Sequence, residues 1–242
     1  MIGVELLDDP RADPGAVERE LRDIARLNAL FGGTRAVLRA LEPFFVAWRR
    51  SAAADETRTW TLLDVGTGLG DIPRALARAA ARHGLALRLI AIERHRAAAR
   101  LARGAGDRPL AAILADGGAP PLGARAVDVV VVSQVLHHLP RPEALRWIAA
   151  CDALARRAVV LADLHRSRAA MAGAWVACLS LGMSRSTRHD AVVSLKRGYT
   201  REEFNRMLTE AGVRAVARYR PGFRIVAAWA PAARDRGPGR CP

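Results

Sequence analysis

The sequence predicts an α/β protein with a doubly wound, mostly parallel, seven-stranded sheet that ends in an antiparallel hairpin. Short apolar runs alternate with segments of helical periodicity, which is the pattern of parallel strands joined by right-handed helical crossovers. The run 126–132 is very rich in valine, as is typical of a central strand buried on both faces. The 242 residues, 51% of them hydrophobic, are enough for one full-sized domain with a large core.

The first part of the chain, 1–58, is predicted to be an N-terminal helical extension. Apolar residues recur at spacings of three and four from 16 to 48. Gly32 and Gly33 interrupt this pattern, and Thr34 is placed to cap a second helix. The polar stretch 51–58 reads as a linker. We assign 59–231 to the α/β domain.

Strands and helices then alternate. The predicted strands of the parallel part are 60–65, 85–92, 110–115, 126–132 and 158–162. The predicted helices between and after them are 71–83, 95–103 and 141–155. In such a sheet, ligands bind outside the carboxyl ends of the strands, so functional residues should directly follow strands.

The segment 166–197 is predicted to be an insertion, and it contains the most apolar run, 171–183. This run has 13 residues and is too short for a membrane span, which needs about 20. It predicts either a buried helix or a helix that lines an apolar pocket.

The C-terminal part predicts a helix and a hairpin. Thr200 and Glu203 have the spacing of a capping box for a helix that runs to residue 211. Two strands, 213–219 and 223–230, flank a Pro-Gly turn. The tail 232–242, rich in proline, glycine and arginine, is expected to be disordered.

The motif LLDVGTGLGD, 62–71, places a glycine-rich turn between a strand and a helix. Gly66, Gly68 and Gly70 let the backbone turn sharply and approach a ligand closely. A dinucleotide site would need a small residue at position 71, and Asp71 would oppose the charge of a pyrophosphate. A purely structural turn is the other alternative.

This motif resembles motif I, (D/E)xGxGxG, of the class I S-adenosylmethionine-dependent methyltransferases, of the small-molecule, type 11/12-like kind. The resemblance covers about residues 60–162 and implies a Rossmann-like fold with S-adenosyl-L-methionine as the cofactor. It also implies that the glycine turn packs beside the methionine part of the cofactor. Asp64 then holds the methionine amine, and Asp71 is a further contact.

Three more residues follow predicted strands. Glu93 can accept hydrogen bonds from both ribose hydroxyls, or it is a glutamate at an exposed helix start. The resemblance implies that Asp116 bonds the adenine amino group and that Gly117 contacts the ring. The alternative for Asp116 is a turn-forming aspartate. Gln134 is placed where the family often lines the methionine pocket.

The segment SQVLHHLPRPE, 133–143, offers His137 and His138 as candidate bases, because a neutral histidine can accept a proton from a hydroxyl. It resembles the HDW segment of phenolic O-methyltransferases, and an ungapped match puts their basic histidine on His137. That His137, His138 or neither is the base stays open. Asp163 and His165 form a possible pair after the fifth strand, or are loop residues.

Asn28 and the Gly32–Gly33 bend offer a way for the N-terminal helices to close over the cofactor. The formal net charge of +14 suggests nucleic acid, but Lys196 is the only lysine and the arginines are scattered through every segment. The aromatic content of 5% also argues against a base-stacking surface.

The remaining features bound the chemistry and the compartment. Three cysteines without a CxxC pair predict neither a disulfide framework nor a metal site, and fit a reducing cytoplasm. The opening residues, 1–14, do not resemble a signal peptide. We expect a methyltransferase that O-methylates a small hydrophobic hydroxyl-bearing metabolite of phenol, polyketide or quinone type. An RNA or protein methyltransferase and a non-catalytic cofactor-binding module are the alternatives, and the sequence does not give the oligomeric state.

Overall fold

The computed structural model describes residues 5–9, 11–51, 59–104 and 106–232. The predicted linker and C-terminal tail lie almost entirely outside these ranges. Seven strands form one sheet in the order β3-β2-β1-β4-β5-β7-β6. The strands are β1 (Thr59–Val65), β2 (Ala86–Glu93), β3 (Leu110–Leu114), β4 (Val127–Ser133), β5 (Ala155–Leu164), β6 (Arg218–Arg220) and β7 (Arg224–Trp229).

Strands β1 to β5 are parallel to their neighbours, while β7 is antiparallel to β5 and β6 is antiparallel to β7. The predicted doubly wound sheet with an antiparallel end is therefore confirmed. All seven residues of β4 are buried, as its valine run predicts. The order places the first crossovers on one side of β1 and the later ones on the other, so the strand order reverses between β1 and β4.

Eight α-helices accompany the strands in the described part of the chain. They are α1 (Pro14–Leu30), α2 (Gly33–Ser51), α3 (Asp71–Arg82), α4 (Arg96–Gly104), α5 (Arg141–Leu154), α6 (Arg168–Ser180), α7 (Arg185–Arg197) and α8 (Arg201–Glu210). None of these described helices is both long and apolar enough to cross a bilayer.

The two faces of the sheet have separate cores. On one face, α2 and α3 pack against the strands, with Leu41, Phe45 and Leu76 fully buried between them. On the other face, α5 and α8 contribute Ile148 and Phe204 to the second core. The N-terminal helix α2 therefore shares a core with the sheet, because its apolar stripe packs directly on the strands.

Local signals in the sequence explain most helix ends. Asp13 caps α1 by accepting a hydrogen bond from the amide of Ala16, and Pro14 occupies the first helical position. Thr200 and Glu203 form the predicted capping box of α8. The prediction that Thr34 caps the second helix is wrong, because α2 already begins at Gly33 and Thr34 lies inside its first turn.

The predicted strand 213–219 is mostly wrong, since β6 contains only Arg218–Arg220. The amide of Val213 donates to the carbonyl of Leu208, and the amide of Ala217 donates to Oδ1 of Asn205. This segment therefore satisfies its backbone on α8 and joins the sheet only for its last three residues.

The apolar run 171–183 forms most of α6 and the turn after it, but it is not a buried helix. Ala174 and Cys178 are buried, whereas Trp175, Val176 and Leu179 are about half exposed. The periodicity of α6 places these two sets on opposite faces. Helices α6 and α7 pack on each other as a helical hairpin next to the carboxyl end of β5.

Candidate active site

A large cavity opens at the carboxyl ends of the parallel strands. Each of the first five strands contributes to its wall through the residues at its end, and α1, α6 and α7 close the opposite side. The wall residues directly after or at the ends of strands include Gly66, Glu93, Gly117, Gln134, His137 and Leu164. The cavity lies where the strand order reverses, which is where doubly wound sheets bind ligands.

The glycine turn after β1 forms one end of the cavity. Gly66, Gly68 and Gly70 all have positive φ angles, of 74°, 54° and 72°. A Cβ atom at Gly66 would lie 2.4 Å from Cγ2 of Val135, so no larger residue fits there. The buried Arg74 of α3 donates to the carbonyls of Leu69 and Gly70 and fixes the turn. The left-handed glycines and the hydrogen bonds from Arg74 together hold the turn in this conformation beside the cavity.

Glu93 ties the turn to the end of β2. Its Oε2 accepts a hydrogen bond from the amide of Gly68 at 3.2 Å, and its Oε1 accepts one from the amide of His95 at 2.9 Å. Glu93 is buried but lines the cavity. Its carboxylate is therefore anchored on the protein side while facing the space that the turn encloses.

Two aspartates flank the turn. Asp64 lies at the end of β1, behind the turn, and burial raises its pKa to about 7, with the charges of Asp71 and Glu93 acting in the same direction. Asp71, at the start of α3, lines the cavity, and burial raises its pKa as well. The structure thus puts Asp71 on the cavity wall and Asp64 one layer deeper.

The two residues of the turn after β3 that were predicted to contact adenine, Asp116 and Gly117, have different environments. Gly117 is buried on the cavity wall, and a Cβ atom there would lie 2.4 Å from Cγ1 of Val65 and 2.5 Å from the ring of Trp147. Asp116 is exposed, and its Oδ1 accepts a hydrogen bond from the amide of Gly118 at 2.8 Å. Asp116 therefore forms the turn, and its predicted adenine contact stays a prediction.

Gln134 stands at the end of β4 with a φ angle of 58°, a left-handed conformation that is uncommon for a residue with a side chain. Its Nε2 donates to Oδ1 of Asn28 at 2.5 Å, and its Oε1 accepts from Arg224 at 3.0 Å. Arg224 also donates to Asn28. The N-terminal helix α1 is thus bonded to the end of β4 across the cavity wall, as the proposed role of Asn28 requires.

Sequence reasoning missed Arg224. It is 5% exposed, it lines the cavity, and burial lowers its pKa to about 10, although Asp163 offsets part of this effect. The available signal was an arginine at the start of the apolar strand IVAAW, where a charge must have buried polar partners.

His137 is the best-defined polar side chain of the cavity. Its Nδ1 lies 2.6 Å from Oδ1 of Asp163, and both side chains are almost completely buried. Asp163 also accepts hydrogen bonds from the amides of His137 and Leu164. Because an ionised carboxylate only accepts, Nδ1 donates to it and Nε2 carries the lone pair. Within the described residues, Nε2 is buried and has no hydrogen-bond partner.

The suggested pairing of Asp163 with His165 is wrong. The ring of His165 stacks on that of Tyr219 with centroids 4.1 Å apart, while Asp163 points to the 3-10 turn Leu136–His138. The sequence left this pair open, because two residues two positions apart in a strand share one side of the sheet. However, β5 ends at Leu164, so His165 lies beyond the strand.

His138 has a different environment. Its Nδ1 lies 2.9 Å from Oδ1 of Asp8, and Arg197 donates to Asp8 at 2.9 Å and to Glu5 at 3.1 Å. Nitrogen or oxygen atoms of Glu5, His137 and His138 lie within 4.8 Å of one another, close enough to hold a metal ion. The guanidinium of Arg197 beside Glu5 would repel such a cation, because like charges at this distance cost energy in a buried site.

The wall formed by α1 and α7 is polar. The hydroxyl of Thr187 lies 2.9 Å from Oε2 of Glu20 and 3.1 Å from Oδ2 of Asp23. Burial raises the pKa of Glu20 to about 7, and it raises that of Asp190 as well. Of the apolar run 171–183, which was expected to line the cavity, only the small Ala174 is part of the described cavity wall, beside Ala170, which precedes the run.

The comparisons with known proteins agree with this geometry. Residues 63–158, from β1 to β5, match a family model described as a methyltransferase domain. Residues 63–158 therefore form a methyltransferase domain. No curated protein matches the chain by sequence.

Several solved methyltransferase structures share the fold. Magnesium protoporphyrin IX methyltransferase from Synechocystis PCC 6803, with bound S-adenosylmethionine, is 15% identical, with a TM-score of 0.51 and coverage of 83% of this chain and 81% of that one. An S-adenosylmethionine-dependent methyltransferase from Aquifex aeolicus is 16% identical, with a TM-score of 0.52 and coverage of 86% and 98%. Human N-acetylserotonin methyltransferase is 11% identical, with a TM-score of 0.60 and coverage of 90% and 56%.

Proposed function

We propose that this methyltransferase transfers the methyl group to the oxygen of a small hydrophobic, hydroxyl-bearing metabolite of phenol, polyketide or quinone type, with His137 as the general base. The observation that carries the proposal is the Nε2 atom of His137, a residue of the cavity wall: this atom is buried and has no hydrogen-bond partner among the described residues. Asp163 holds the other ring nitrogen at 2.6 Å. This is the arrangement that a neutral histidine needs to accept a proton.

The residues around the glycine turn fit S-adenosyl-L-methionine as the cofactor. At Gly66 and Gly117, an added Cβ atom would come within about 2.5 Å of other side chains, which keeps both backbones bare toward the cavity. Glu93 would accept hydrogen bonds from the ribose hydroxyls, and Asp116 would hold the adenine amino group beside Gly117. Asp71 would face the methionine amine from the cavity wall, and Asp64 would support it from behind the turn, with Gly68, Gly70 and Gln134 completing the methionine site.

The chemistry divides between cofactor and protein. The cofactor supplies a methyl group on a positively charged sulfur, which is already a good electrophile. His137 removes the proton from the acceptor hydroxyl through Nε2, and the negative charge of Asp163 stabilises the imidazolium that results. The walls of the cavity would hold the acceptor hydroxyl toward the bound cofactor and would limit the access of water. Such orientation can lower the barrier by several kcal/mol, up to about 10 in ideal cases.

The polar wall of α1 and α7 favours an acceptor that carries more than one polar group. Glu20, at its raised pKa, can be protonated near neutral pH and donate a hydrogen bond, and Asp190 and Ser194 also line this side. The acceptor would therefore carry a second oxygen besides the one that is methylated. Two of the similar structures are named for small-molecule substrates, magnesium protoporphyrin IX and N-acetylserotonin, which supports a small acceptor.

The test is a panel of phenols and hydroxyquinones with isotope-labelled S-adenosylmethionine, run on the wild type, H137Q and H138Q. We expect H137Q to bind the cofactor with unchanged affinity and to lose about a hundredfold or more in kcat, the usual contribution of a general base. His138→Gln should lose less, because Asp8 and Arg197 already engage that ring.

His83→Gln is the matched control, since His83 pairs with Glu42 at the end of α3, away from the cavity. Unchanged turnover in H137Q would refute the role of His137. Label that appears only in protein or RNA after incubation with a cell extract would refute the small-molecule acceptor.

A further inference from the structure

Four large apolar side chains are exposed close together on the α6–α7 hairpin. Trp175, Val176, Leu179 and Leu181 are 50%, 55%, 49% and 50% exposed. They fall within seven consecutive residues, and we call them the α6 patch. The described chain exposes four other large apolar side chains, which are scattered over α1, β3 and the segment before β7. Trp175, Val176 and Leu179 share one face of α6, and Leu181 directly follows the helix. Exposed apolar side chains grouped in this way mark an interaction surface more often than single exposed residues do.

The patch is a fixed face of the protein. On the opposite side of α6, Ala170 and Ala174 pack with Leu164 and Leu195 and also line the cavity. Residues 168, 172, 175, 176 and 179 share one helical face, so Arg168 stands in line with the patch. Helix α6 cannot rotate to bury the patch without pulling its alanine face out of the core.

The charged side chains of the segment that carries the patch have one sign. Residues 164–189 contain four arginines and no carboxylate. Arg166 pairs with Glu203, whereas Arg168, Arg185 and Arg188 form no ion pair with any residue that the structure describes. Since α6 and α7 are adjacent in a hairpin, Arg185 and Arg188 flank the end of the patch at Leu179 and Leu181.

We propose that the α6–α7 hairpin binds the surface of an anionic lipid bilayer. The tryptophan and the aliphatic side chains would enter the headgroup region, where tryptophan is enriched in membrane proteins. The arginines without an ion pair among the described residues would contact lipid phosphates. Apolar residues flanked by cations on one face are typical of helices that lie at the surface of a membrane.

A second copy of the chain fits this face less well. In a twofold interface the same patch meets itself, so Arg168, Arg185 and Arg188 of one copy would approach the same arginines of the other. Like charges brought together in this way oppose association. An anionic bilayer instead matches both the apolar and the basic parts of the surface.

The inference goes beyond the proposed function and does not depend on which acceptor is methylated. It does connect with the site, because the inner face of α6 forms part of the cavity wall. A hairpin seated on lipid would bring this wall against the bilayer surface, where hydrophobic metabolites dissolve.

Co-sedimentation with vesicles tests the proposal. The full chain is mixed with vesicles of phosphatidylcholine alone and with vesicles that contain about 30% phosphatidylglycerol. The anionic lipid gives the second kind of vesicle a negative surface potential. We expect binding to the anionic vesicles that falls with added salt and little binding to the neutral ones. The double variant R185E/R188E should lose about tenfold or more in partition coefficient, and W175S/L179S should lose a similar factor.

Two matched variants serve as controls. Arg214→Glu with Arg218→Glu makes the same change in net charge on exposed residues elsewhere, and Val216→Ser removes an exposed apolar side chain next to them. Both should bind vesicles like the wild type. The proposal is overturned if the wild type does not bind anionic vesicles, or if the hairpin variants and the controls lose binding equally. It is also overturned if the wild type is a dimer that W175S/L179S converts to a monomer, since a second copy then covers the patch.

Discussion

The position of His137 depends on Asp163, which lies at the end of β5. The two residues are 26 positions apart, yet their side chains meet at 2.6 Å because β4 and β5 are adjacent parallel strands that end at the same edge. Asp163 is 1% exposed and also accepts two backbone amides, so its position is fixed independently of the histidine. We therefore regard Asp163 as a positioning residue for His137.

Asp163→Asn should impair turnover without removing the cofactor site. An asparagine can present its amide group to Nδ1, which favours the tautomer with the proton on Nε2 and removes the lone pair that faces the cavity. We expect kcat to fall about tenfold to a thousandfold, with little change in KM. Nitrogen-15 NMR of the imidazole should show protonation at Nδ1 in the wild type and a shift toward Nε2 in the variant. An unchanged tautomer with lost activity would mean that Asp163 is only structural.

The residues that sequence reasoning located and those that it missed differ in a physical way. The glycine turn and Glu93 belong to local strand–turn–helix patterns, whose geometry is set by neighbours in sequence. Asp163 and Arg224 act through partners 26 to 196 positions away, which only the packed sheet brings together. A burial signal existed for Arg224, but its partners Asn28 and Gln134 could not be read from it.

At the scale of the element, the turn after β1 requires glycine at position 66 for two reasons, the positive φ angle and the lack of space for a Cβ atom. Gly66 has a positive φ angle and is also crowded by Val135, whereas Gly84, at the end of α3, has a nearly equal φ of 75° with nothing within 4 Å of an added Cβ. The two positions share the backbone requirement but differ in contact with the cavity.

Gly66→Ala should therefore damage both stability and binding, while G84A damages stability alone. Each variant pays about 1 to 3 kcal/mol for an alanine in the left-handed region. Only G66A pushes Val135 and the turn, and we expect its affinity for S-adenosylhomocysteine to fall by about tenfold or more, equivalent to about 1.4 kcal/mol. Calorimetric titration together with urea unfolding measures both. Equal affinities in the two variants would show that the turn does not contact the cofactor.

The capping box of α8 is an element that the sequence alone located correctly, because the Thr200 and Glu203 side chains bond to each other's backbone amides three residues apart. Thr200→Ala removes the side-chain cap and should cost about 1 kcal/mol, which lowers Tm by about 2 to 4 °C in a domain of this size. Thr209→Ala, on the same helix, is the control, since its hydroxyl only bonds the preceding turn at Asn205. A T200A variant as stable as T209A would show that the cap contributes nothing.

The apolar run in the insertion marks the limit of local reasoning about elements. Composition favoured a buried helix or an apolar pocket wall for 171–183, and both expectations assumed that apolar residues face inward. In the structure, the inward face of α6 consists of Ala170, Ala174 and Cys178, while the larger apolar residues face outward. Composition alone does not tell on which side of a helix a core lies when large and small apolar residues occupy different faces.

For the molecule as a whole, the cavity concentrates carboxyl groups whose pKa values are raised. Burial brings the pKa of Asp64 and of Glu20 to about 7 and raises those of Glu5, Asp71 and Asp190. In the unfolded chain these groups titrate near 4. The folded protein therefore binds protons more tightly than the unfolded chain between about pH 4 and pH 7. Their contribution to stability is full below pH 4 and is lost as the pH rises through about 7.

Replacing Asp64 or Glu20 by the matching amide should make this dependence visible. D64N and E20Q keep the shape of each side chain but cannot lose a proton, so the free energy of unfolding of each variant, minus that of the wild type, should rise by about 1 to 3 kcal/mol from pH 5 to pH 8. Asp8, whose pKa is lowered by His138 and Arg197 despite its burial, acts below pH 4 and leaves this window unaffected. Taking the difference between each variant and the wild type also cancels the contributions of all other titratable groups, which change with pH in the same way in both proteins. Urea unfolding at constant ionic strength gives the values, with the exposed D107N as the control that should stay flat. A difference for D64N that does not change with pH would show that this carboxyl group is ionised in the folded protein throughout, and the cavity would then carry more negative charge at neutral pH than we infer.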